Sequence, residues 1–180
     1  DPVQWFILRG IFKNGPLFLI GDPKQSIYSF RGADMGVYLR ARNESSSLFT
    51  LTKNFRSTNG MVQAVNRFFD FPSPNPGPFL NRDIRFHRGV CGTSLQEIDE
   101  TAPLQILFLP DNDGTLSRER AKTIIGENVC AEIQRLIATA SLEERGKKRP
   151  VSPSDIAVIV RTNSEAAIIK ELLSFHRIRS

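Results

Sequence analysis

Residues 21–34, which read GDPKQSIYSFRGAD, bring side chains suited to phosphate chemistry into one short string. They follow an apolar run, residues 16–20, which predicts a buried strand. Ligands of open α/β sheets bind at the carboxyl ends of strands, which is where this string begins. Gln25 can hydrogen-bond a phosphate or a water, and Lys24 and Arg31 can meet phosphates.

The same string carries two aromatic residues, Tyr28 and Phe30, whose rings can stack on nucleic-acid bases. One of the two rings can instead belong to the core. The plainer interpretation of the whole string is an ordinary strand-to-helix turn, with both rings packed inside. We favour the binding interpretation because the string has the strand before it and the helix after it that such a motif requires.

The surrounding elements alternate between strands and helices, which predicts an α/β fold with a parallel sheet and helices on both faces. Asp34 and either Ser57 or Thr58 are suited to cap the helices that follow them. Four prolines within residues 71–78 exclude a regular helix or a central strand there. We expect apolar strands at residues 17–20, 48–52, 104–109 and 156–160, and Ser164 is suited to cap the helix after the last strand. A long helix at residues 118–138 should face the core with Ile125, Val129, Ile133 and Leu136. Residues 141–153 are predicted to be a polar, basic linker.

Composition is that of an ordinary globular chain of one or two small domains, with 180 residues, 40% of them hydrophobic and 24% charged. The formal net charge of +5 is compatible with nucleic acid but is weak evidence for it. Cys91 and Cys130 do not form a zinc pattern, and so few cysteines favour a reducing compartment. No segment approaches the length of a membrane span, so we predict no membrane association.

Three strings together resemble the UvrD/Rep-like superfamily-one DNA helicases, in the order that this family has them. Residues 21–34 resemble motif III, residues 51–66 (LTKNFRSTNGMVQAVN) resemble motif IV, and residues 154–178 resemble the segment where the second motor domain resumes. The Pro-Lys after Gly-Asp and the Phe-Arg-Gly-Ala-Asp ending are most similar to the RecB branch, the β subunits of exodeoxyribonuclease V. The third string is the least specific, because many α/β proteins have such a strand before a helix.

The resemblance implies roles in ATP hydrolysis for three residues. Gln25 falls at the glutamine that senses the γ-phosphate and orients the attacking water, and the alternative is a turn glutamine bonded to backbone. Arg56 falls at the arginine that reaches the γ-phosphate from the second motor domain, and the alternative is a surface salt bridge. Phe55 falls where many relatives have a tyrosine that stacks on adenine, and a core phenylalanine is the alternative.

The resemblance also implies contacts with single-stranded DNA. Tyr28 and Phe30 match aromatic residues that contact the DNA strand, and of the two we favour Phe30 for this contact. Arg31 matches an arginine that touches the DNA backbone or holds the loop. Lys24 can touch phosphate, and Arg161, after the last predicted strand, is a further candidate.

A RecA-like P-loop motor divided between two domains follows from the same resemblance. We expect residues 1–45 to be the end of the first motor domain, and residues 46–180 the start of the second, with an irregular proline-rich insert at about residues 71–102. The chain has no G-x-x-x-x-G-K-[ST] string, so the phosphate loop and the Mg²⁺ carboxylates would lie outside it, and it holds no predicted metal ligand. We therefore expect an internal fragment that is inactive by itself.

The intact protein implied by the resemblance is a bacterial, cytoplasmic helicase with exonuclease activity in a further domain. It would use ATP and Mg²⁺, act on single-stranded and duplex DNA in repair and recombination, and assemble with RecC-type and RecD-type subunits. The alternatives are an AddA-type or UvrD/Rep-type helicase and, from another class, a non-catalytic DNA-binding module. Gln25 and Arg56 argue against the last, because a module that never hydrolyses ATP needs neither.

Overall fold

A computed structural model describes residues 1–13, 15–25, 34–70, 79, 83–110, 114, 116–144 and 146–180. The chain divides into two compact units, of which the first contains Asp1–Asn54 and Val65–Val90 and the second contains Phe55–Ala64 and Cys91–Ser180. The helices are α1 (Pro2–Ile11), α2 (Met35–Glu44), α3 (Asn59–Phe69), α4 (Arg118–Thr139) and α5 (Asn163–Phe175). The strands are β1 (Lys53–Asn54), β2 (Val90–Cys91), β3 (Ser141–Glu144) and β4 (Lys147–Pro150).

Helix starts are set by short polar side chains that accept hydrogen bonds from the first backbone N–H groups. The predicted cap Asp34 is confirmed, since its carboxylate accepts from Gly36 N at 2.7 Å. Thr58, which immediately precedes α3, accepts from Met61 N at 3.3 Å. For α5 we expected Ser164, and the structure instead has Thr162, whose hydroxyl accepts from the N–H of Glu165 at 3.3 Å.

The core of the second unit lies between α4 and α5. Its buried members are Cys130, Ile133, Leu173 and Ile178, of which Cys130 is fully buried. Gly126 belongs to the same face of α4, and a Cβ there would collide with the Leu172 side chain of α5. The expected core stripe of α4 included Ile125, which is instead 51% exposed because it lies about 100° around the helix from Gly126.

The expected parallel sheet is not seen among the described residues, whose strands form two small two-stranded ladders. In one, Val90 N donates to Thr52 O at 2.8 Å, and in the other, β3 and β4 are antiparallel. The four predicted strands run outside these ladders, and their large side chains reach exposures of 97% at Ile20 and 94% at Ile159. A strand is defined by hydrogen bonds to a neighbour, and among the described residues only the segment 48–52 has one, at its last residue, where Thr52 O accepts from Val90 N.

The segment expected to be a basic linker, residues 141–153, contains the hairpin of β3 and β4. Its charges are opposed across the ladder, with Glu143 opposite Lys148 and Glu144 opposite Lys147. Arg149 donates to Glu144 at 2.9 Å and forms two hydrogen bonds of 2.7 Å with the carboxylate of Asp155. These hydrogen bonds hold the pKa of Asp155 well below its usual range. Arg149 is thus paired with acidic side chains, and Lys147 and Lys148 lie opposite glutamates across the ladder.

Candidate functional site

Gln25 ends a single 3₁₀ turn, Pro23–Gln25, that follows the first predicted strand. Its backbone N–H donates to Asp22 O at 3.0 Å, and its side-chain amide donates to the Asp22 carboxylate at 3.2 Å. The side chain is exposed. A single exposed hydrogen bond contributes about 1 kcal/mol, so a ligand oxygen can replace Asp22 as the partner of this amide.

Lys24 is exposed, and its ammonium lies 2.7 Å from the Asp22 carboxylate. Partial burial raises the pKa of Asp22, but the hydrogen bonds and charge of Lys24 outweigh it, and the net pKa is lowered. Asp22 is therefore the anionic centre of this turn and holds both neighbouring side chains. A nucleic-acid phosphate would have to compete with Asp22 for Lys24.

Phe55 and Arg56 lie in the turn between β1 and α3, and both side chains are exposed. Their direction is set by the ladder before them and by the capped helix after them. The Phe55 ring packs against Gly92, where a Cβ would lie only 2.8 Å from the nearest ring atom. Phe55 is nonetheless 66% exposed, so a large part of its surface is open to a planar ligand.

A groove of about 840 Å³ within the second unit opens beside Arg56. Its lining joins the start of α3 to residues 95–107 and to α4. Inside it, Arg135 donates to Asp99 at 2.9 Å and to Glu132 at 2.6 Å. The groove therefore contains charges of both signs. The ion pair of Arg135 with Asp99 joins residues 95–107 to α4.

Arg161 is exposed and precedes α5, and its backbone N–H donates to the Glu165 carboxylate at 3.1 Å. This hydrogen bond, helped by Lys122 at 3.7 Å, lowers the pKa of Glu165. The contacts fix the backbone at the helix start and leave the guanidinium of Arg161 at the surface.

The described candidate residues are divided between the two units. Gln25 and Lys24 belong to the first unit, whereas Phe55, Arg56 and Arg161 belong to the second. Tyr28, Phe30 and Arg31 lie outside the described residues. Within the described ranges, no three His, Cys, Asp or Glu side chains cluster as metal ligands, and no helix is long and apolar enough to cross a membrane.

Two residues of the second unit were missed by sequence reasoning, Gly92 and Glu97. Glu97 accepts a hydrogen bond of 3.0 Å from Gly60 N at the start of α3. Both contacts join residues more than thirty positions apart along the chain. The only signal in the sequence was Gly92 itself, since an isolated glycine marks a close approach of backbone to another group.

Comparison with known proteins places these features in a family context. Residues 1–46 match the UvrD/REP helicase N-terminal domain. The chain is 36% identical to the RecBCD enzyme subunit RecB of Escherichia coli K12, over 100% of this chain and 16% of that protein. The similarity to RecB thus extends over the whole length of this chain. It is also 33% identical to RecB of Haemophilus influenzae over 96% of this chain, and 30% identical to RecB of Mycobacterium tuberculosis over 97%.

These matches confirm the resemblance to UvrD/Rep-like helicases and to the RecB branch. The chain spans only 15% to 16% of the length of these RecB relatives. Its helices and short strands are consistent with an α/β fold of the helicase kind, although the described sheets are small.

Proposed function

We propose that this chain is a segment of the helicase–nuclease β subunit of a RecBCD-type enzyme. That protein would couple ATP hydrolysis to translocation along single-stranded DNA and to duplex unwinding, in bacterial double-strand-break repair and recombination. The observation that carries the proposal is the similarity to RecB over the whole chain. The similar region includes residues 21–34, which contain Gln25, and residues 51–66, which contain Arg56. Exonuclease activity would reside in a domain outside this segment, and the segment alone would be inactive.

The segment would contain the end of one RecA-like motor domain, residues 1–45, and the start of the next, residues 46–180. The match to the UvrD/REP helicase N-terminal domain ends at residue 46, which supports a boundary there. Residues 21–34 would be motif III and residues 51–66 motif IV. The insert at about residues 71–102 would interrupt the second domain, and its described part from residue 83 has only β2 as regular structure.

Each of three exposed side chains would act on ATP in its own way. Arg56 would stabilise charge that spreads over the γ-phosphoryl oxygens, because a guanidinium presents several fixed donors to such oxygens. Gln25 would orient the attacking water through the amide that now bonds Asp22. Phe55 would stack on adenine through its open surface, without the hydrogen bond that a tyrosine hydroxyl offers.

Mg²⁺ would neutralise developing charge on the phosphates when bound with ATP. The described residues hold no cluster of carboxylates that fits this ion, so we assign it no ligand on this chain. DNA contacts would come from Lys24, Tyr28, Phe30, Arg31 and Arg161. Assembly with RecC-type and RecD-type subunits in the cytoplasm is part of the same proposal.

The decisive experiment measures ATP hydrolysis stimulated by single-stranded DNA, using the full-length protein with its partner subunits. We expect Arg56→Ala to lower kcat by about 10³-fold or more, since an arginine in this role contributes that much. Gln25→Ala should also lose most turnover. Both variants should still bind DNA, because neither side chain is assigned to the strand.

The matched control is Arg67→Ala, which removes a different exposed arginine, located in α3. It should hydrolyse ATP like the unaltered protein. A protein that binds DNA but hydrolyses no ATP would favour the non-catalytic module. Variants of Arg56 and Gln25 with unaltered turnover would refute the assigned roles.

A further inference from the structure

Residues 91–103, here called the strap, run alongside the turn that carries the proposed nucleotide contacts. Cys91 Sγ lies 3.3 Å from Thr93 O within the strap and 3.6 Å from Ser57 O, both within hydrogen-bonding distance for sulfur. Farther along, the Glu97 carboxylate accepts from Gly60 N at 3.0 Å. Gly60 is the second residue of α3, where N–H groups lack partners within the helix and a negative charge is favoured. The strap therefore holds both ends of residues 57–60.

Gly92 gives the strap its contact with Phe55. A Cβ at position 92 would lie 2.8, 2.9 and 3.0 Å from three atoms of the ring, closer than carbon atoms pack. Only glycine allows the ring to lie on the strap backbone in this way. Because Phe55 is otherwise open to solvent, its ring can move away from a larger residue at little cost to the fold.

The far part of the strap is anchored to the body of the second unit. Asp99 pairs with Arg135 of α4 at 2.9 Å, and Ser141 N donates to Ile98 O at 3.0 Å. These anchors make the strap a fixed support, against which the turn of Phe55 and Arg56 is held.

We propose that the strap positions this turn for nucleotide, with Gly92 setting the place of the Phe55 ring and Glu97 holding the start of α3. Both are positioning residues, and neither is assigned a contact with ATP. The inference rests on the proposed function, in which Phe55 stacks on adenine. It adds that nucleotide affinity depends on a segment about 35 residues away in the sequence.

The first test uses the reaction of Cys91 with the thiol reagent DTNB in the 180-residue chain. Cys130 is fully buried, and burial raises the pKa of its thiol, so it should not react on the same timescale. Glu97→Ala should release the strap and raise the Cys91 rate by about fivefold or more, as expected for loss of a charge-assisted hydrogen bond. Glu97→Gln keeps an acceptor for Gly60 N and should stay within about twofold of the unaltered chain.

The second test is a double-mutant cycle on the KM for ATP of the full-length protein with its partner subunits. Phe55→Ala and Gly92→Ala should each raise KM by about tenfold, as loss of one stacked base implies, with a smaller change in kcat. The double variant should be no worse than Phe55→Ala alone, because Gly92 acts only through the ring. Gly10→Ala is the matched control, since a Cβ there would meet nothing within 4 Å.

The outcomes separate this inference from the function on which it rests. The positioning role of the strap would be refuted by additive effects of Gly92→Ala and Phe55→Ala on the KM for ATP, or by an unchanged Cys91 reaction rate in Glu97→Ala. Neither result would contradict the proposed ATP hydrolysis. If Phe55→Ala leaves KM unchanged, the stacking role fails and the positioning role of Gly92 fails with it. The positioning role of the strap would be supported by non-additive changes in KM, together with a Cys91 reaction rate in Glu97→Gln close to that of the unaltered chain.

Discussion

Replacement of Ile133 by alanine tests the α4–α5 core on which the second unit is built. Ile133 is 5% exposed and packs with Cys130, Leu173 and Ile178. Removing three buried carbons costs about 2.4 kcal/mol of transfer free energy, and the cavity adds about 1 kcal/mol. Alanine is the better helix former by about 0.4 kcal/mol, which offsets part of this loss. We therefore expect Ile133→Ala to lower the free energy of unfolding by about 3 kcal/mol.

The assay is urea unfolding of the 180-residue chain, followed by the helical circular dichroism signal. Ile125→Ala is the matched control, because the same side chain on the same helix is 51% exposed. Its free energy of unfolding should change by less than about 0.5 kcal/mol. Equal losses for the two variants, or a loss below about 1 kcal/mol for Ile133→Ala, would refute the assigned core face of α4.

Four further substitutions test other parts of the chain, three by the same urea unfolding assay and one by thermal unfolding. Asn66 is buried and exchanges two hydrogen bonds of 2.8 Å with the backbone of Gly89, so Asn66→Ala should cost about 2–3 kcal/mol. Gly146 has a φ of +75°, so Gly146→Ala should destabilise the chain by about 1 kcal/mol, whereas Gly10→Ala in α1 should stabilise it by up to about 1 kcal/mol. Hydrogen bonds from Thr101 and Arg135 lower the pKa of Asp99, so its stabilisation is present above about pH 4 and lost as the pH falls through the lowered folded pKa. Thermal midpoints should accordingly fall less between pH 7 and pH 3 in Asp99→Asn than in the unaltered chain.

Helix positions were largely predictable from the sequence because caps and periodicity act locally. Asp34 and Thr58 were identified from residue type alone, and their hydrogen bonds span only two or three positions. The face of a helix is harder to predict, since apolar residues at adjacent positions compete for it. Ile125 is an example: its position fits an apolar stripe, but Gly126 takes the place against α5 because the helices approach closely there.

Strands were less predictable because they depend on partners that the local pattern does not specify. Residues 17–20 and 156–160 are as apolar as buried strands, yet they lie outside the ladders. In contrast, residues 141–150 were expected to be a linker and form a hairpin. The reason is electrostatic, since the charges that made this segment look solvated are opposed across β3 and β4.

For the candidate site, the residue types were predictable from the sequence, but the contacts that hold them in place were not. Gln25, Phe55 and Arg56 could be selected from the sequence, because amides, aromatic rings and guanidinium groups are the side chains that nucleotides require. Residue type says nothing about what holds a side chain in place, and for Phe55 that support is a glycine with no chemistry of its own. A substitution at Gly92 would leave every residue that we propose to contact nucleotide intact and still displace the Phe55 ring. Loss of nucleotide affinity in such a variant would therefore be a property of the support, which only the folded chain reveals.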